Sequence, residues 1–521
     1  MLLVEAVENN DHFGRVAYDH FSVPQGPTYM RAAGGISPVI AVDRRRRRPL
    51  HSQIYDAYRA GILNGLLSPG QRVPSTRELA SELSVSRIPV LEAYSQLLAE
   101  GYFETRTGAG TFICNTLTDQ ITPVNKSQSP RPKGSRKASR RSQPQYWLQR
   151  RPWTRQSGAF SVGQLAFDHF PFQVWSRLLA RHARKVNAAS LNYSDPMGYL
   201  PFRQTLAVYL RTARGVRCDT EQIMVVSGSQ QALDLCARVL LDPGDAVWME
   251  EPGYNLMRFA LAAAGCRLIP VPVDEFGLDV AAGIRLCRKA RAAFVTPSHQ
   301  FPLGPTMSAS RRLQLLEWAQ RAGAWIVEDD YDSEYRYETM PIASLQGLDQ
   351  NERVIYIGTF SKTCFPSLRV GYLVIPPDLL DRFRAARAAC DLCAPYLYQS
   401  VLADFMDQGH YARHIRKTRL IYAERRGAVV DALAQTFGDS IQILGAPAGM
   451  YLTITAPSSV RDLEIAYRAA EEKLWIWPLS LTYAAAKVRQ GFILGFGSAR
   501  TPELCKAIER LGKLVSGFEP K

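Results

Sequence analysis

The stretch VIYIGTFSKTCFPSLRVGYLVI, residues 354 to 375, decides how this chain folds and places Lys362 near its centre. Its first four residues are apolar and mostly β-branched, which predicts a buried strand; a second apolar run follows a short proline-containing segment. Between the two runs lie four polar side chains: Thr359, Ser361, Lys362 and Arg369. An arbitrary lysine is usually a solvated surface residue. A lysine at the end of a buried strand, in contrast, often has a lowered pKa and acts as an imine-forming nucleophile.

Two other predicted strands end in polar residues, and these favour the interpretation of Lys362 as a nucleophile over a surface lysine. WIVEDDYDSEYRY, residues 325 to 337, carries Asp329 and Tyr331 two positions apart, on one face if the strand continues. QIMVVSGSQQALDLCARVLL, residues 222 to 241, breaks at Gly228, where a helix begins at once. The start of that helix offers backbone N–H groups to a phosphate. The donors are Gly228, Ser229 and Gln230.

A fourth stretch, MEEPGYNLMRFA at residues 249 to 260, supplies Tyr254, which can stack on a flat ring. A carboxylate for a pyridinium nitrogen and a phenol for a phenolate are what pyridoxal phosphate (PLP) needs to act as an electron sink. Taken singly, these features also fit a capped helix, a turn or a core aromatic residue. Together, in this chain order, they predict a PLP site.

Residues 190 to 515 resemble a fold-type I, class I aminotransferase domain, an α/β fold with a large and a small domain. The wording "SGSQQAL", "EEPGY", "TPSHQFPLG", "EDDYDSEYRY" and "GTFSK…PSLRVGY" is similar to the MocR/GabR family of bacterial regulators. The resemblance implies that Lys362 forms an internal aldimine with PLP, that Asp329 pairs with the ring nitrogen and that Tyr331 bonds the 3′ oxygen.

The same resemblance assigns the remaining cofactor contacts. Tyr254 is expected to stack on the ring, and His299 or Gln300 to lie near its face. Tyr193, in NYSDPMGYLPFR, matches a tyrosine that reaches the phosphate of a neighbouring subunit, so a homodimer is expected. The expected phosphate ligands are Arg369, Thr359, Ser361 and the amides of residues 228 to 230.

Composition limits the class of protein. A chain of 521 residues exceeds one ordinary core, so at least two domains are expected. No run approaches the ~20 apolar residues of a membrane span, and the N-terminus lacks a signal-peptide pattern, which favours a cytoplasmic protein without a membrane partner. The nine cysteines are odd in number and scattered, which argues against a disulfide framework. The lone C-x-x-C pair, Cys390 and Cys393, has no second half for zinc, so helix packing is favoured and no metal is expected.

The formal net charge of +15 is unevenly distributed. Ten Lys or Arg and no Asp or Glu lie between Gln120 and Arg155, and five more arginines form the run at 44 to 48. Both groups lie in the first third of the chain, which points to nucleic acid as the partner of that end.

The sequence between these two basic segments predicts a winged helix-turn-helix. Apolar residues recur at helical spacing from Ile54 to Leu63, and Gly65 ends that helix. A Ser-x-x-Glu capping box, Ser75 and Glu78, starts a second helix, and a tight turn leads to a third. The alternating segment YFETRTGAGTFIC then predicts a hairpin.

Residues 49 to 114 resemble the GntR-type winged helix, with the motif "RVPSTRELASELSVSRIPVLEAYSQLLAEGYFETRTGAGTFI". The resemblance implies that Arg77 and Arg87 are the leading contacts to double-stranded operator DNA and that Ser86 meets phosphate. Pro89 stands where the family usually has Thr, which removes a hydroxyl contact but is tolerated in a first helical turn. The wing, expected in the minor groove, contributes Arg106, Gly108 and Gly110. A bacterial, nucleoid-associated location is expected.

The predicted organisation has four parts. Residues 1 to 43 form a weakly ordered extension, 44 to 115 the winged helix, and 116 to 158 a basic linker. Residues 159 to 521 form the aminotransferase-like domain, with a small C-terminal subdomain from about residue 386. The linker is either a tether or a further DNA contact.

Two functions compete. One is a PLP-dependent transcriptional regulator that senses an amino compound, or PLP itself, through external aldimine formation; the other is an aminotransferase with an accessory DNA-binding module. Aminotransferases need a cation for the substrate α-carboxylate, yet the aligned position is Ile493, and Arg489 and Arg500 match poorly. Leu256 stands where the family places a ligand-binding Arg. These departures favour the regulator, with at most a residual transamination half-reaction.

Overall fold

The computed structural model describes residues 40, 42–44, 48–115, 139, 151–154, 156–187, 191–337, 343–445, 448–484 and 488–516. The chain divides into two compact units, residues 1–137 and 138–521. Most of the predicted extension, three of the five arginines in the run at 44 to 48 and nearly all of the predicted linker lie outside the described residues.

The first unit is a winged helix, as predicted. The capping box is present, because the Ser75 side chain accepts from the Glu78 amide and the Glu78 carboxylate accepts from the Ser75 amide. The hairpin pairs Phe103 with Ile113 and Arg106 with Gly110 in antiparallel register. Its elements are α1 (Leu50–Leu63), α2 (Thr76–Glu82), α3 (Arg87–Ala99), β1 (Phe103–Arg106) and β2 (Gly110–Ile113).

Three aromatic rings form the centre of this small core. Tyr58, Tyr94 and Phe103 meet edge to face with centroids 5.1 to 5.7 Å apart, an arrangement that aromatic quadrupoles favour. Ile40, at the end of the predicted extension, is also buried in this core.

The second unit contains an eight-stranded sheet in the order β3-β10-β9-β8-β7-β4-β5-β6. Strands β4, β5, β7, β8 and β9 pair in parallel, whereas β10 is antiparallel to both β3 and β9, and β6 to β5. The strands are β3 (Ile223–Val226), β4 (Ala246–Glu251), β5 (Arg267–Asp274), β6 (Gly277–Leu278), β7 (Ala292–Val295), β8 (Trp325–Asp330), β9 (Val354–Thr359) and β10 (Gly371–Val374). The strands predicted before Gly228, Asp329 and Thr359 are observed as β3, β8 and β9.

These strand directions bring the chemistry to one edge of the sheet. The carboxyl ends of β3, β4, β7, β8 and β9 meet there, together with the amino end of β10. Open α/β sheets bind ligands outside the carboxyl ends of their strands.

Helices cover both faces of the sheet. Val327 and Ile357 pack on one side with Leu233, while Ile326 and Val354 pack on the other with Leu315. The helices of this region are α4 (Phe172–Arg184), α5 (Leu200–Arg214), α6 (Ser229–Leu240), α7 (Asn255–Ala264), α8 (Val280–Cys287), α9 (Ala309–Ala322), α10 (Leu345–Leu348), α11 (Leu380–Asp391) and α12 (Tyr396–Asp407).

The small C-terminal subdomain is an antiparallel sheet in the order β11-β12-β14-β13 with helices packed against it. Its elements are α13 (His410–Phe437), β11 (Gln442–Leu444), β12 (Tyr451–Thr455), α14 (Asp462–Glu471), β13 (Trp477–Pro478), β14 (Gly491–Gly495) and α15 (Thr501–Ser516). Among the helices that the structure describes, none has the length and apolar character needed to span a membrane.

Candidate functional site

Lys362 lies just beyond the end of β9, partly buried at the sheet edge where the strand ends converge. Burial lowers the pKa of its amine, and the carboxylates of Asp332 and Asp329 oppose this shift. A lowered pKa leaves more of the amine neutral near pH 7, which is the form that attacks a carbonyl carbon.

Asp329 is the buried acid of the site. Its side chain is 4% exposed, and its Oδ1 has no hydrogen-bond partner among the described residues. Burial, reinforced by the neighbouring carboxylates of Asp330, Asp332 and Glu250, raises its pKa to about 7. A buried carboxylate oxygen without a donor is costly to keep, so this atom fits a ligand that brings its own N–H.

The phosphate cradle forms where β3 turns into α6. Gly228 precedes α6 with φ +93°, and a Cβ there would lie 3.0 Å from the Nη2 of Arg369. Gly228 is therefore needed for the guanidinium to approach the helix N-terminus. Arg369 comes two residues before β10, whose Gly371 pairs with both Val226 and Thr359.

The other predicted phosphate residues border the same place. Ser229 is the first residue of α6, and Thr359 accepts a hydrogen bond at Oγ1 from the Ser361 amide (3.1 Å). The side chain of Gln230, in contrast, donates to the Leu256 carbonyl oxygen at 2.9 Å, so it is directed away from Gly228's turn and its contribution to the cradle is its backbone amide.

Tyr254 precedes α7 and packs edge to face on Phe301, with centroids 5.7 Å apart. Burial raises the pKa of its phenol; the Asp329 carboxylate adds to this shift and the Arg369 guanidinium opposes it. Tyr254 therefore lies near both the acid and the phosphate arginine, as a residue stacking on a ring between them would.

Tyr331 belongs to a hydrogen-bonded cluster that joins the large and small domains. Its hydroxyl lies 3.0 Å from the Tyr451 hydroxyl and 3.2 Å from Nδ1 of His299. The same His299 nitrogen lies 3.0 Å from Oδ2 of Asp332. Nε2 of His299 is buried and has no partner among the described residues. Tyr451 was not predicted because it comes from the small subdomain. Asp332 lies in the stretch 325 to 337, but it is one of several acids there and no local signal distinguishes it.

The structure distinguishes between the two residues expected near the cofactor's face. The side-chain amide of Gln300 is engaged by other partners: it donates to the carbonyl oxygens of Pro252, just after β4 (2.9 Å), and of Phe301 (2.6 Å), and it accepts from the Leu303 amide (3.1 Å). His299 keeps a free ring nitrogen and is the better placed of the two.

Tyr193 is not joined to this cluster within one chain. Its side chain is 79% exposed, the pattern expected of a residue that serves another subunit.

Gly163 is a site residue that sequence reasoning missed. Its φ is +79°, and a Cβ at this position would lie 2.5 Å from Nζ of Lys362. The segment around it lies beside the small-domain strand β14, because Phe160 forms an antiparallel bridge with Gly495. No motif marks Gly163, because its role arises only from long-range packing.

The position expected to bind a carboxylate is apolar in three dimensions as well. Ile493 is fully buried in β14, in a cluster with Phe301, Leu303 and Tyr451. Leu256 is 39% exposed on α7. Arg489 and Arg500 are both exposed and lie outside that cluster.

These residues fit PLP. The donor-free Oδ1 of Asp329 suits a protonated ring nitrogen, the Gly228 and Arg369 cradle suits a phosphate, and Lys362 provides the amine. Tyr254 and Tyr331 would provide the stacking ring and the phenol.

The second candidate site is the helix-turn-helix surface of the first unit. Arg77 and Arg87 are both exposed, and Nε of Arg87 donates to Oγ1 of Thr76 (3.1 Å), which fixes the direction of its side chain. Ser86 is the residue before α3, and its side chain makes no capping hydrogen bond, which leaves the hydroxyl available.

In the wing, Gly108 and Gly110 have φ +77° and +108°, which the tight turn requires. Arg106 bonds Glu104 (2.6 Å) and lies over the Phe112 ring at 4.5 Å, so the hairpin itself holds its guanidinium.

Fold and site together define a winged-helix DNA-binding domain fused to an aminotransferase-type domain. Residues 50–113 match the family described as bacterial regulatory proteins, gntR family, and residues 159–508 match aminotransferase class I and II. The probable rhizopine catabolism regulatory protein MocR of Rhizobium meliloti is 40% identical over 92% of this chain and 97% of its own length. The pyridoxine biosynthesis transcriptional regulator PdxR of Corynebacterium glutamicum is 31% identical over 92% and 98%.

Among solved structures, the kynurenine aminotransferase of Pyrococcus horikoshii is similar with a TM-score of 0.66 and 29% identity, covering 76% of this chain and 98% of that one. The chain belongs to the MocR-type family of DNA-binding transcriptional regulators, which confirms the predicted family and fold class.

Proposed function

We propose that this protein is a homodimeric regulator that binds operator DNA and senses a small amino compound at a PLP site centred on Lys362. The observation that carries the proposal is the convergence of Lys362, the donor-free Oδ1 of Asp329 and the Gly228–Arg369 cradle at one sheet edge, in a chain that also contains a winged helix.

Each residue has a definite task at this site. PLP held there would supply a carbonyl carbon that condenses with amines and a ring that withdraws electrons. Lys362 holds the cofactor through an amine whose pKa burial lowers. Asp329 accepts a hydrogen bond that its own chain does not provide, and Arg369 neutralises the phosphate. An amino compound then competes with the Lys362 amine for the same position.

Gly163 gives the site a route to the rest of the chain. Because Nζ of Lys362 lies against Gly163, displacement of the lysine side chain changes its contact with the segment around residue 163. In sequence, this segment follows the predicted linker to the winged helix. If the chain exchanges between two conformations, the effector can shift that equilibrium only by its differential affinity for them, typically ~1–3 kcal/mol. DNA must then alter effector affinity by the same factor.

Homodimer formation is part of the proposal. Tyr193 is largely exposed in a single chain, and the aminotransferase-type resemblance assigns it to a neighbouring subunit. Two winged helices per dimer would require repeated half-sites in the operator.

The alternative, an efficient aminotransferase, is less well supported. Ile493 fills the expected carboxylate-binding position with a buried aliphatic side chain. A residual transamination half-reaction is compatible with an apolar Ile493 at this position, but rapid turnover of α-amino acids is not expected.

The test is a titration of labelled DNA from upstream of the protein's own gene, monitored by anisotropy, with PLP and a panel of primary amines. We expect one amine to change the affinity by roughly 5- to 150-fold in the wild type. The response should vanish in Lys362→Ala and persist in Lys289→Ala, a matched removal of an exposed lysine from the same domain. Rapid multiple turnover with 2-oxoglutarate and no effect of any amine on DNA binding would favour the enzyme.

A further inference from the structure

The recognition helix α3 exposes two apolar side chains, Ile88 and Leu91, in its first turns; we call this surface the apolar step. Ile88, its second residue, is 65% exposed, and Leu91, one turn later, is 41% exposed. The opposite side of the same helix supplies Val90, Ala93 and Leu97 to the core. Ile88 is therefore not required for packing.

The surroundings of Ile88 have the charge expected of a DNA-facing surface. Arg87 precedes it, and Arg77 is exposed on α2. No acidic residue occurs in the first turn of α3. The nearest acid along the helix, Glu92, lies 3.2 Å from Nδ1 of His51 on α1. The apolar step thus has Arg87 beside it, while the carboxylate of Glu92, one turn further along, lies against His51; this charge suits a polyanionic partner better than an acidic protein surface.

The local backbone holds Ile88 in place. Pro89 follows it in the first turn and fixes φ at that position, and Ile88 itself is β-branched, which restricts its χ1 rotamer. Pro89 also removes one of the free N–H groups that a helix start can offer to phosphate. The helix start therefore has one donor fewer for the DNA backbone and carries an apolar group beside it.

We propose that Ile88 recognises the C5-methyl group of a thymine in each operator half-site, beside the bases reached by Arg77 and Arg87. The methyl group of thymine is the apolar feature of the major-groove edge, and aliphatic side chains on recognition helices contact it. The proposal rests on the DNA-binding role of α3 and adds a specificity-determining residue to it.

The experiment is a methyl-deletion scan of the footprinted DNA from upstream of the gene, bound to the full-length protein. Each thymine of one half-site is replaced in turn by deoxyuridine, which lacks only the C5-methyl. In the wild type, we expect one position to weaken binding about fourfold, the value for one buried methyl group. In Ile88→Ala, that position should no longer matter, whereas Ile88→Val should retain the effect.

Leu66→Ala is the matched control, because Leu66 is 44% exposed in the turn after α1. It should leave the uracil profile unchanged. Thermal unfolding should not distinguish Ile88→Ala from the wild type.

Two results would overturn the proposal. One is a wild-type profile in which no uracil weakens binding, and the other is the same sensitive position in wild type and Ile88→Ala. If this second result is accompanied by weaker self-association of Ile88→Ala in sedimentation, the apolar step is instead a contact between chains. If the wild type shows no sequence-specific binding to this DNA, the result instead refutes the DNA-binding role on which the proposal rests.

Discussion

Replacing Asp329 with Asn should stabilise the cofactor-free protein while weakening cofactor binding. In the folded chain, the pKa of Asp329 is raised from its ordinary value of 3.8 to about 7, chiefly by burial. At about 1.4 kcal/mol per pKa unit, holding the carboxylate ionised at pH 8 costs about 4 kcal/mol. The new amide introduces N–H groups without partners, which returns about 1–3 kcal/mol of that gain. The expected net stabilisation is about 1–3 kcal/mol.

The pH dependence gives the sign of the effect. A carboxyl group whose folded pKa is raised binds its proton more tightly in the folded state. Its favourable contribution to the free energy of unfolding is therefore complete below pH 3.8 and is lost as pH rises through about 7. The midpoint of thermal unfolding of cofactor-free Asp329→Asn should therefore exceed that of the wild type by a few degrees at pH 8 and fall below it near pH 4, where only the cost of the unpaired amide remains.

The neighbouring acid provides the control. Asp330 is also buried, but its Oδ2 lies 2.7 Å from Nη2 of Arg214 and accepts from Ser333 (2.9 Å). Asp330→Asn removes the carboxylate that lies against the buried Arg214 guanidinium and should destabilise by about 3–5 kcal/mol.

Added PLP should raise the unfolding midpoint of the wild type more than that of Asp329→Asn, since only the carboxylate stabilises a protonated ring nitrogen. The reasoning is refuted if Asp329→Asn lowers the midpoint at pH 8 as Asp330→Asn does, or if PLP stabilises Asp329→Asn as much as the wild type.

Lys362→Ala, washed after incubation with PLP, should lack the yellow imine absorbance that the wild type shows and that borohydride bleaches; a borohydride-reducible chromophore in this variant would place the attachment on another lysine. Arg77→Ala and Arg87→Ala should each weaken operator binding by about 1–3 kcal/mol if they read bases, and unchanged affinity in both would remove α2 and α3 from recognition. Mixing Tyr193→Ala with Lys362→Ala protein should restore one normal PLP site per mixed dimer, because a site lacking neither residue then forms; no restoration would mean that Tyr193 serves its own chain.

Much of the cofactor site could be predicted because its residues follow strand ends. Apolar β-branched runs ended in Asp329 and Lys362, and parallel strands place such ends along one edge of a sheet. Gly228 was predictable for the same reason, since a glycine between a strand and a helix start marks a phosphate-binding turn. These are local signals, and the fold only had to bring them side by side.

The residues that were not predicted come from contacts between distant segments. Gly163 lies about two hundred positions before Lys362, in a segment without periodicity, and Tyr451 reaches Tyr331 from the small subdomain. Gln300 was named beside His299, yet hydrogen bonds to other partners engage its side-chain amide. Such competition between partners depends on distances of a few tenths of an ångström, which a sequence pattern does not encode.

Ile493 shows how one substitution alters what the site can select. Its side chain is fully buried on β14, opposite Thr453 on β12 and Trp477 on β13, in the apolar cluster that also includes Tyr451. An arginine placed there would be an unpaired buried charge unless a ligand carboxylate accompanied it, at a cost of several kcal/mol. Isoleucine removes that cost and fills the space. The amine chemistry around Lys362 is thereby kept while the charge that would capture an α-carboxylate at this wall is lost, which is the physical basis for expecting amine recognition rather than rapid amino-acid turnover.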